Sequence, residues 1–202
     1  MNMNESSIGA VILAAGVSQR MGSPKQLLPF NGNSLLRHAV LTALGSRCQP
    51  VVVVLGALAE KLQSEISDLP VTIIENRVWA EGMGSTIRTG IAALEGIFEH
   101  LAGALLMLCD QPYVSSQTLD QLISVYEEST PLAVASEYAG SLGAPALFSR
   151  ELFSELGALK NAEGAKQILK RHEQDILRLP VPEAVWDVDT PADYERLIQT
   201  AA

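Results

Sequence analysis

A chain of 202 residues with 48% hydrophobic and 18% charged content can bury a full core, so long disorder is excluded and one domain over residues 1–202 is expected. A formal net charge of −9 argues against a general nucleic-acid surface, which depends on many clustered Lys and Arg. The longest apolar runs, such as 10–15 and 51–55, fall far short of the roughly 20 residues that cross a bilayer. No membrane association is expected. The opening Met1-Asn2-Met3-Asn4-Glu5-Ser6-Ser7 lacks the basic and then apolar pattern of a leader, so a cytoplasmic location is expected.

Along the chain, near-continuous β-rich apolar runs at 8–13, 51–55, 71–74 and 104–108, with a further run at 132–135, alternate with helix-like stretches. Unbroken runs of this kind belong to strands covered on both faces, as in a parallel sheet. The stretch 34–44 follows a cap at Asn33 or Ser34 and stops at Gly45, and 57–66, 85–98 and 116–127 repeat the helical pattern. The alternation predicts an α/β, doubly wound, mostly parallel sheet. After about residue 136 the order changes. Residues 140–148 read as loop and strand, 150–156 and 163–171 as helices, 176–179 as a strand, and 191–199 as a last helix with Pro191 in its first turn and Thr190 as cap. The half from about 8 to 135 is expected to bind nucleotide. The half from about 136 to 202 is expected to add a small antiparallel extension on the acceptor and metal side.

Cys48 and Cys109 have no C-x-x-C spacing, and His38, His100 and His172 are scattered, which supports neither a disulfide framework nor a zinc site. The chemistry concentrates elsewhere. The first strand runs into Leu13-Ala14-Ala15-Gly16-Val17-Ser18-Gln19-Arg20-Met21-Gly22-Ser23-Pro24-Lys25, which puts small residues, two glycines and two cations in one strand-to-helix loop. In open α/β sheets ligands bind beyond the carboxyl ends of the strands. There, backbone N–H groups can cradle phosphate oxygens while Arg20 and Lys25 neutralise their charge. The spacing from Gly16 to Lys25 does not fit a P-loop. Gly82-Met83-Gly84-Ser85-Thr86-Ile87 nearly meets the dinucleotide fingerprint but has Ile87 where the last glycine belongs.

Asp110 follows the apolar run 104–109, which predicts a carboxylate at the end of a central strand, suited to hold Mg²⁺ against triphosphate oxygens. Asp187 or Asp189 is the natural second ligand, since both flank Val188 and would share one face of a strand.

The loop, together with Asn76-Arg77-x-Trp79-x-x-Gly82-Met83-x-Ser85, Cys109-Asp110-Gln111-Pro112, Gly143-x-Pro145-x-Leu147-Phe148 and Asp187-Val188-Asp189-Thr190-Pro191-x-Asp193, closely resembles the MobA-like nucleotidyltransferases over most of the chain. The Ala-Ala-Gly form is similar to the molybdenum cofactor cytidylyltransferases, including relatives that serve xanthine dehydrogenase maturation, whereas the guanylyltransferase branch usually has Ala-Gly-Gly.

The resemblance implies a Rossmann-like fold of the nucleotide-diphospho-sugar transferase type. It also implies Mg²⁺-dependent transfer of CMP from CTP to the terminal phosphate of a pterin cofactor. Nucleotide contacts would come from Leu13, Ala14, Ala15, Gly16, Arg20, Lys25, Ser85 and Asp110, with Arg20, Lys25 and Asp110 catalytic. Trp79, Gly143, Pro145 and Lys166 would face the acceptor, and a molybdoenzyme would be the client. Related cytidylyltransferases often carry Gly-Asp-x-Gly-x-Arg in the tail half; here the run is Asn161-Ala162-Glu163-Gly164-Ala165-Lys166, without the acid and with Lys for Arg. A guanylyltransferase, a cytidylyltransferase for a sugar or polyol phosphate, and a non-catalytic cofactor-delivery factor are the alternatives.

Overall fold

The computed structural model describes residues 7–201; the leader reading of residues 1–6 lies outside the described residues. In chain order the strands are β1 (Ser7–Ala14), β2 (Pro29–Phe30), β3 (Asn33–Ser34), β4 (Val51–Leu55), β5 (Thr72–Glu75), β6 (Leu101–Leu108), β7 (Ala133–Tyr138), β8 (Ser141–Ser149) and β9 (Ile176–Pro180). The helices are α1 (Leu35–Leu44), α2 (Ala59–Gln63), α3 (Met83–Ile97), α4 (Ser116–Ser129), α5 (Phe153–Gly157), α6 (Lys166–Arg171) and α7 (Pro191–Ala201). None of the helices is long and apolar enough to cross a membrane among the described residues.

Seven strands make one sheet in the order β5-β4-β1-β6-β8-β7-β9. β1 pairs in parallel with β4 and β6, and β4 with β5, so the nucleotide half is the doubly wound parallel sheet expected from its apolar runs. Burial on both faces shows directly in the alternation of side chains. Ala10, Ile12 and Ala14 of β1 pack with Leu36, Val40 and Leu119, while Val11 and Leu13 pack with Ile87, Ile91 and Leu94. All five residues of β4 are buried.

Of the antiparallel strands expected in the tail half, β8 alone runs antiparallel, inserted between β6 and β7, whereas β9 lies parallel to β7. The register of β7 on β8 shifts between Ala135 and Ser136, leaving Ala144 and Pro145 as a bulge. A proline lacks the N–H that a ladder needs, so it is tolerated there. Gln111 donates from Nε2 to the Ala144 carbonyl at 3.0 Å and fixes that bulge to the end of β6.

Local chemistry accounts for the helix ends. Ser34 caps α1 by accepting from Arg37 N at 3.2 Å, and just before it Asn31 and Gly32, at φ 47° and 79°, form the two-residue turn joining β2 to β3. α2 is shorter than the expected 57–66, because past Gln63 the chain continues in i→i−3 turns such as Ile66 N to Gln63 O. α6 starts at Lys166 rather than 163, since Glu163 is held in a turn by the Lys160 carbonyl at 2.9 Å. At α7, Thr190 N donates to Asp193 Oδ2 at 2.8 Å and Asp193 N donates back to Thr190 Oγ1 at 3.3 Å, a reciprocal cap.

Gly90 sets the depth at which α3 meets the sheet, for a Cβ there would fall inside van der Waals contact with Val11 Cγ1 and 3.2 Å from Val54 Cγ2. Gly90→Ala is therefore expected to destabilise the fold by about 1–3 kcal/mol despite its better helix propensity. A urea midpoint equal to or above the wild type would refute this packing constraint.

Candidate active site

The carboxyl ends of β1 and β6 are adjacent at the centre of the sheet, where the chain order of neighbouring strands reverses, and the loop after β1 rises over this edge. Its shape is wired from within. Met21 N and Gly22 N both donate to the Ser18 carbonyl, at 3.0 and 3.2 Å, and Ser18 itself sits at φ 55°, so the chain doubles back. Gln26, buried at the loop's far end, donates from Nε2 to the Gly16 carbonyl at 2.7 Å and the Ala14 carbonyl at 3.3 Å, and accepts from Ser18 Oγ at 3.2 Å. Ser18 Oγ in turn accepts from Lys25 N at 3.1 Å. Gln26 escapes sequence reading because an amide beside Lys25 looks like any solvated residue. Its only signal is its position ahead of Leu27-Leu28 in a loop that needs its carbonyls satisfied.

Lys25 reaches from this loop to two carboxylates. Its Nζ bonds Asp110 Oδ2, just past the end of β6, and Asp189 Oδ1 at 2.8 Å, in the segment before α7. Arg20 NH2 takes the other Asp189 oxygen at 2.7 Å, with its side chain 72% exposed. Asp110 Oδ1 is buried and has no partner among the described residues. Burial favours the neutral lysine amine, but Asp110 and Asp189 more than offset it, so the Lys25 ammonium is held charged above the ordinary lysine range. Burial pushes the Asp110 carboxyl above the usual carboxylate range, and Lys25 offsets only part of that. The neighbouring Cys109 thiol is pushed up to about 12 by burial, then by the Asp110 charge, and is inert as a nucleophile.

Asp189 is delivered by a small separate apolar cluster. Met21 of the loop, Phe30, Leu35, Val188 and Leu197 are buried together, and Val188 N donates to the Asp110 carbonyl at 2.9 Å. Asp187 and Asp189 do not share the face of a strand. Residues 186–189 form no regular element; Asp189 meets the two cations, whereas Asp187 is exposed, makes no ion pair among the described residues, and lines a cleft of about 220 Å³ with Pro112, Trp186 and Arg196. The alternation argument needed a pleated ladder, and this segment has none.

The other sequence-predicted residues divide. Leu13, Ala14 and Ala15 are buried at the base of the loop and Gly16 is exposed on it. The Ser85 hydroxyl is buried, accepts from Asn76 Nδ2 at 2.9 Å and donates to the Gly82 carbonyl at 2.8 Å, so it braces its own turn. Trp79 is half-buried beside Ala15 and Gly56. Gly143 and Lys166 lie together on an almost wholly apolar cavity of about 210 Å³ that also takes in Leu13 and Leu108, while Pro145, in the bulge, accepts from Ser136 Oγ at 2.6 Å through its carbonyl. Lys166 Nζ bonds Ser141 Oγ at the surface.

A divalent cation fits the donor set at Asp110 and Asp189, because a buried carboxylate oxygen without a hydrogen-bond partner is costly and a hard cation would relieve that cost. Among the described residues no group of three or more His, Cys, Asp or Glu converges to hold a metal unaided.

The chain is 35% identical over 144 residues to nicotine blue oxidoreductase of Paenarthrobacter nicotinovorans, covering 71% of this chain and 67% of that one. It is 30% identical to purine catabolism protein PucB of Bacillus subtilis strain 168, over 92% and 93% of the two chains. It is 26% identical to molybdenum cofactor cytidylyltransferase of Escherichia coli K12, over 94% of each. Among solved structures, Rv0371c of Mycobacterium tuberculosis H37Rv in complex with manganese superposes with a TM-score of 0.78 at 28% identity, over 96% of this chain and 99% of that one. The MobA-like NTP transferase domain matches residues 10–176, and the chain belongs to that family.

Proposed function

We propose that this chain transfers CMP from CTP, with Mg²⁺, to the terminal phosphate of a pterin acceptor and releases pyrophosphate, supplying a molybdoenzyme such as xanthine dehydrogenase. The observation that carries this reading is the meeting of Lys25, Asp110 and Asp189 under the glycine-rich loop, with Asp110 Oδ1 unpartnered.

In the reaction proposed, an oxygen of the acceptor phosphate attacks the α-phosphorus, the bond from that phosphorus to the bridging oxygen breaks, and pyrophosphate departs. Such a transfer needs charge neutralisation and alignment rather than a protein nucleophile. Asp110, with Asp189, would hold Mg²⁺, which supplies positive charge against the triphosphate oxygens. Lys25, whose ammonium has three donors and bonds both carboxylates, would turn those donors to phosphate oxygens when the triphosphate binds. Arg20, exposed on the loop, would hold the leaving pyrophosphate. Gln26 engages the Ala14 and Gly16 carbonyls, and Met21 N and Gly22 N close on the Ser18 carbonyl, so the N–H groups of residues 17–20 are those that would meet phosphate.

Cytidine over guanosine is supported by Ala15. It gives the loop the Ala-Ala-Gly form that resembles the cytidylyltransferases, and it packs closely on Gly56, where any Cβ would stand 2.6 Å from the Ala15 oxygen and 2.7 Å from Trp79 Cβ.

The oxidoreductase among the relatives raises the alternative of a nicotinamide-dependent enzyme, which the near-fingerprint does not support. A Cβ on Gly82 would come 2.5 Å from the Asn161 carbonyl, one on Gly84 would fall inside contact with the Lys160 carbonyl, and Gly84 N already donates to Asn161 O at 3.0 Å. Those glycines serve packing against 160–163 and leave no backbone approach for a pyrophosphate.

Presented separately with CTP, GTP, ATP and UTP, together with Mg²⁺ and Mo-molybdopterin, the protein is expected to release pyrophosphate selectively from CTP. Release from none of the four, or NADPH oxidation in their place, would overturn the reading. Asp110→Asn and Lys25→Ala are each expected to lower turnover by about 10²-fold or more with an unchanged circular dichroism spectrum; near-normal turnover in either removes its assigned role. Gln26→Ala should cost about 1–3 kcal/mol of stability in urea unfolding and raise KM for the nucleotide, and Gln26→Glu should be worse because it sets a carboxylate against two carbonyls. An unchanged midpoint and KM for Gln26→Ala would show that the loop does not depend on this clamp.

A further inference from the structure

Four carboxylate oxygens belong to Asp110 and Asp189, and the protein's own cations occupy three of them. Lys25 Nζ takes one oxygen from each residue, Arg20 takes the second oxygen of Asp189, and only the buried Asp110 Oδ1 is without a partner. The Lys25 and Asp110 side chains are only 16% and 11% exposed, so this pairing is weakly screened by water, whereas Arg20 is largely in solvent. Two carboxylates against two cations sum to no net charge. A divalent ion approaching this cluster gains little Coulomb attraction and must compete with an ammonium already seated between its two ligands.

We propose that Lys25, assisted by Arg20, is an internal place-holder for the metal: it holds Asp110 and Asp189 together and keeps a divalent cation from binding tightly until a triphosphate draws the two cations off the carboxylates. This rests on the transfer reading for the identity of the triphosphate. Once phosphate oxygens engage Lys25 and Arg20, the carboxylate pair regains its two negative charges and the partnerless Asp110 Oδ1 gains a neighbour able to bind a hard cation. Metal and nucleotide then load with positive coupling, and by linkage each strengthens the other by the same factor. The advantage is that the site needs no third protein ligand; the cluster stays closed and neutral between turnovers, and its ligands are preset for the loaded state.

The test is Mn²⁺ binding without nucleotide, followed by the paramagnetic resonance signal of the free ion. Lys25→Met is expected to bind Mn²⁺ at least about tenfold more tightly than the wild type, a coupling of ordinary size for two linked sites. Arg20→Gln, an exposed substitution that does not threaten folding, is expected to show a smaller gain in the same direction. Arg37→Gln, which removes a cation paired with Asp68 on another part of the surface, is expected to show none. In the wild type, CTP affinity measured by equilibrium dialysis should rise on adding Mg²⁺.

The place-holder is overturned if neither Lys25→Met nor Arg20→Gln gains Mn²⁺ affinity, or if Arg37→Gln gains as much as they do. Should Lys25→Met fail to fold by circular dichroism, Arg20→Gln against Arg37→Gln decides. A wild type that releases pyrophosphate while the variants gain nothing sinks this inference alone; variants that gain Mn²⁺ affinity in a protein that consumes no nucleotide sink the transfer reading alone.

Discussion

The ammonium of Lys25 lies between two carboxylates that are 85 and 164 residues away in the chain, and the placement of the site depends on that junction. No single element could build it. β6 brings Asp110 to the sheet edge and the loop after β1 brings Lys25 over that edge, but Asp189 arrives through an irregular segment that must be anchored independently. Val188 does this twice, by burying its side chain with Met21 of the loop and by donating its backbone N–H to the Asp110 carbonyl. Tyr194 adds a third tie from α7, its hydroxyl donating to the Pro29 carbonyl at 2.8 Å. The small cluster of Met21, Phe30, Leu35, Val188 and Leu197 thus does for the tail segment what the sheet does for Asp110.

The electrostatics follow from that placement. Burial disfavours the charged form of both Lys25 and Asp110, since each loses water in being drawn to the sheet edge. Their pairing offsets that cost, more than fully for Lys25 and in part for Asp110, and Asp189 with Arg20 extends the arrangement toward solvent. The gradient runs from a buried, partnerless oxygen at Asp110 to an exposed guanidinium at Arg20.

What could be read in the sequence was what depends on local order or on unbroken hydrophobicity. β4, written as four valines and a leucine, matched its expected bounds, and α1 could be bounded by Ser34 and Gly45. The pairing of Asp110 with the loop was also legible, because both lie at carboxyl ends of buried strands. The choice between Asp187 and Asp189 was not, for it depends on which way an irregular chain turns after Val188 buries itself. Nor was the role of Ser85: a serine at the head of a helix looks free until Asn76 and the Gly82 carbonyl are seen to consume its hydroxyl. The shortened α2 and the bulge in β8 are tertiary outcomes, the latter set by Pro145 meeting a ladder that had no place for it.

The glycines illustrate why a motif has to be read with its surroundings. Gly16 and Gly22 face open space, where a Cβ would touch nothing within 4 Å, and the backbone around them is accessible to a ligand. Gly82 and Gly84 look equally suited to phosphate in the sequence, yet the 160–163 segment lies against both. That segment is also where the tail half departs from the Gly-Asp-x-Gly-x-Arg pattern of the resembling cytidylyltransferases. Arg88 reinforces the contact, donating to the Leu159 carbonyl and, at 3.0 Å, to Asn161 Oδ1. Backbone room at Gly82 and Gly84 is therefore spent on positioning the 160–163 segment, whereas Gly16 and Gly22 stay open in the loop that carries Lys25. The turn after β1, closed by one lysine on two distant carboxylates, concentrates the site's charge chemistry at the end of β1 and β6.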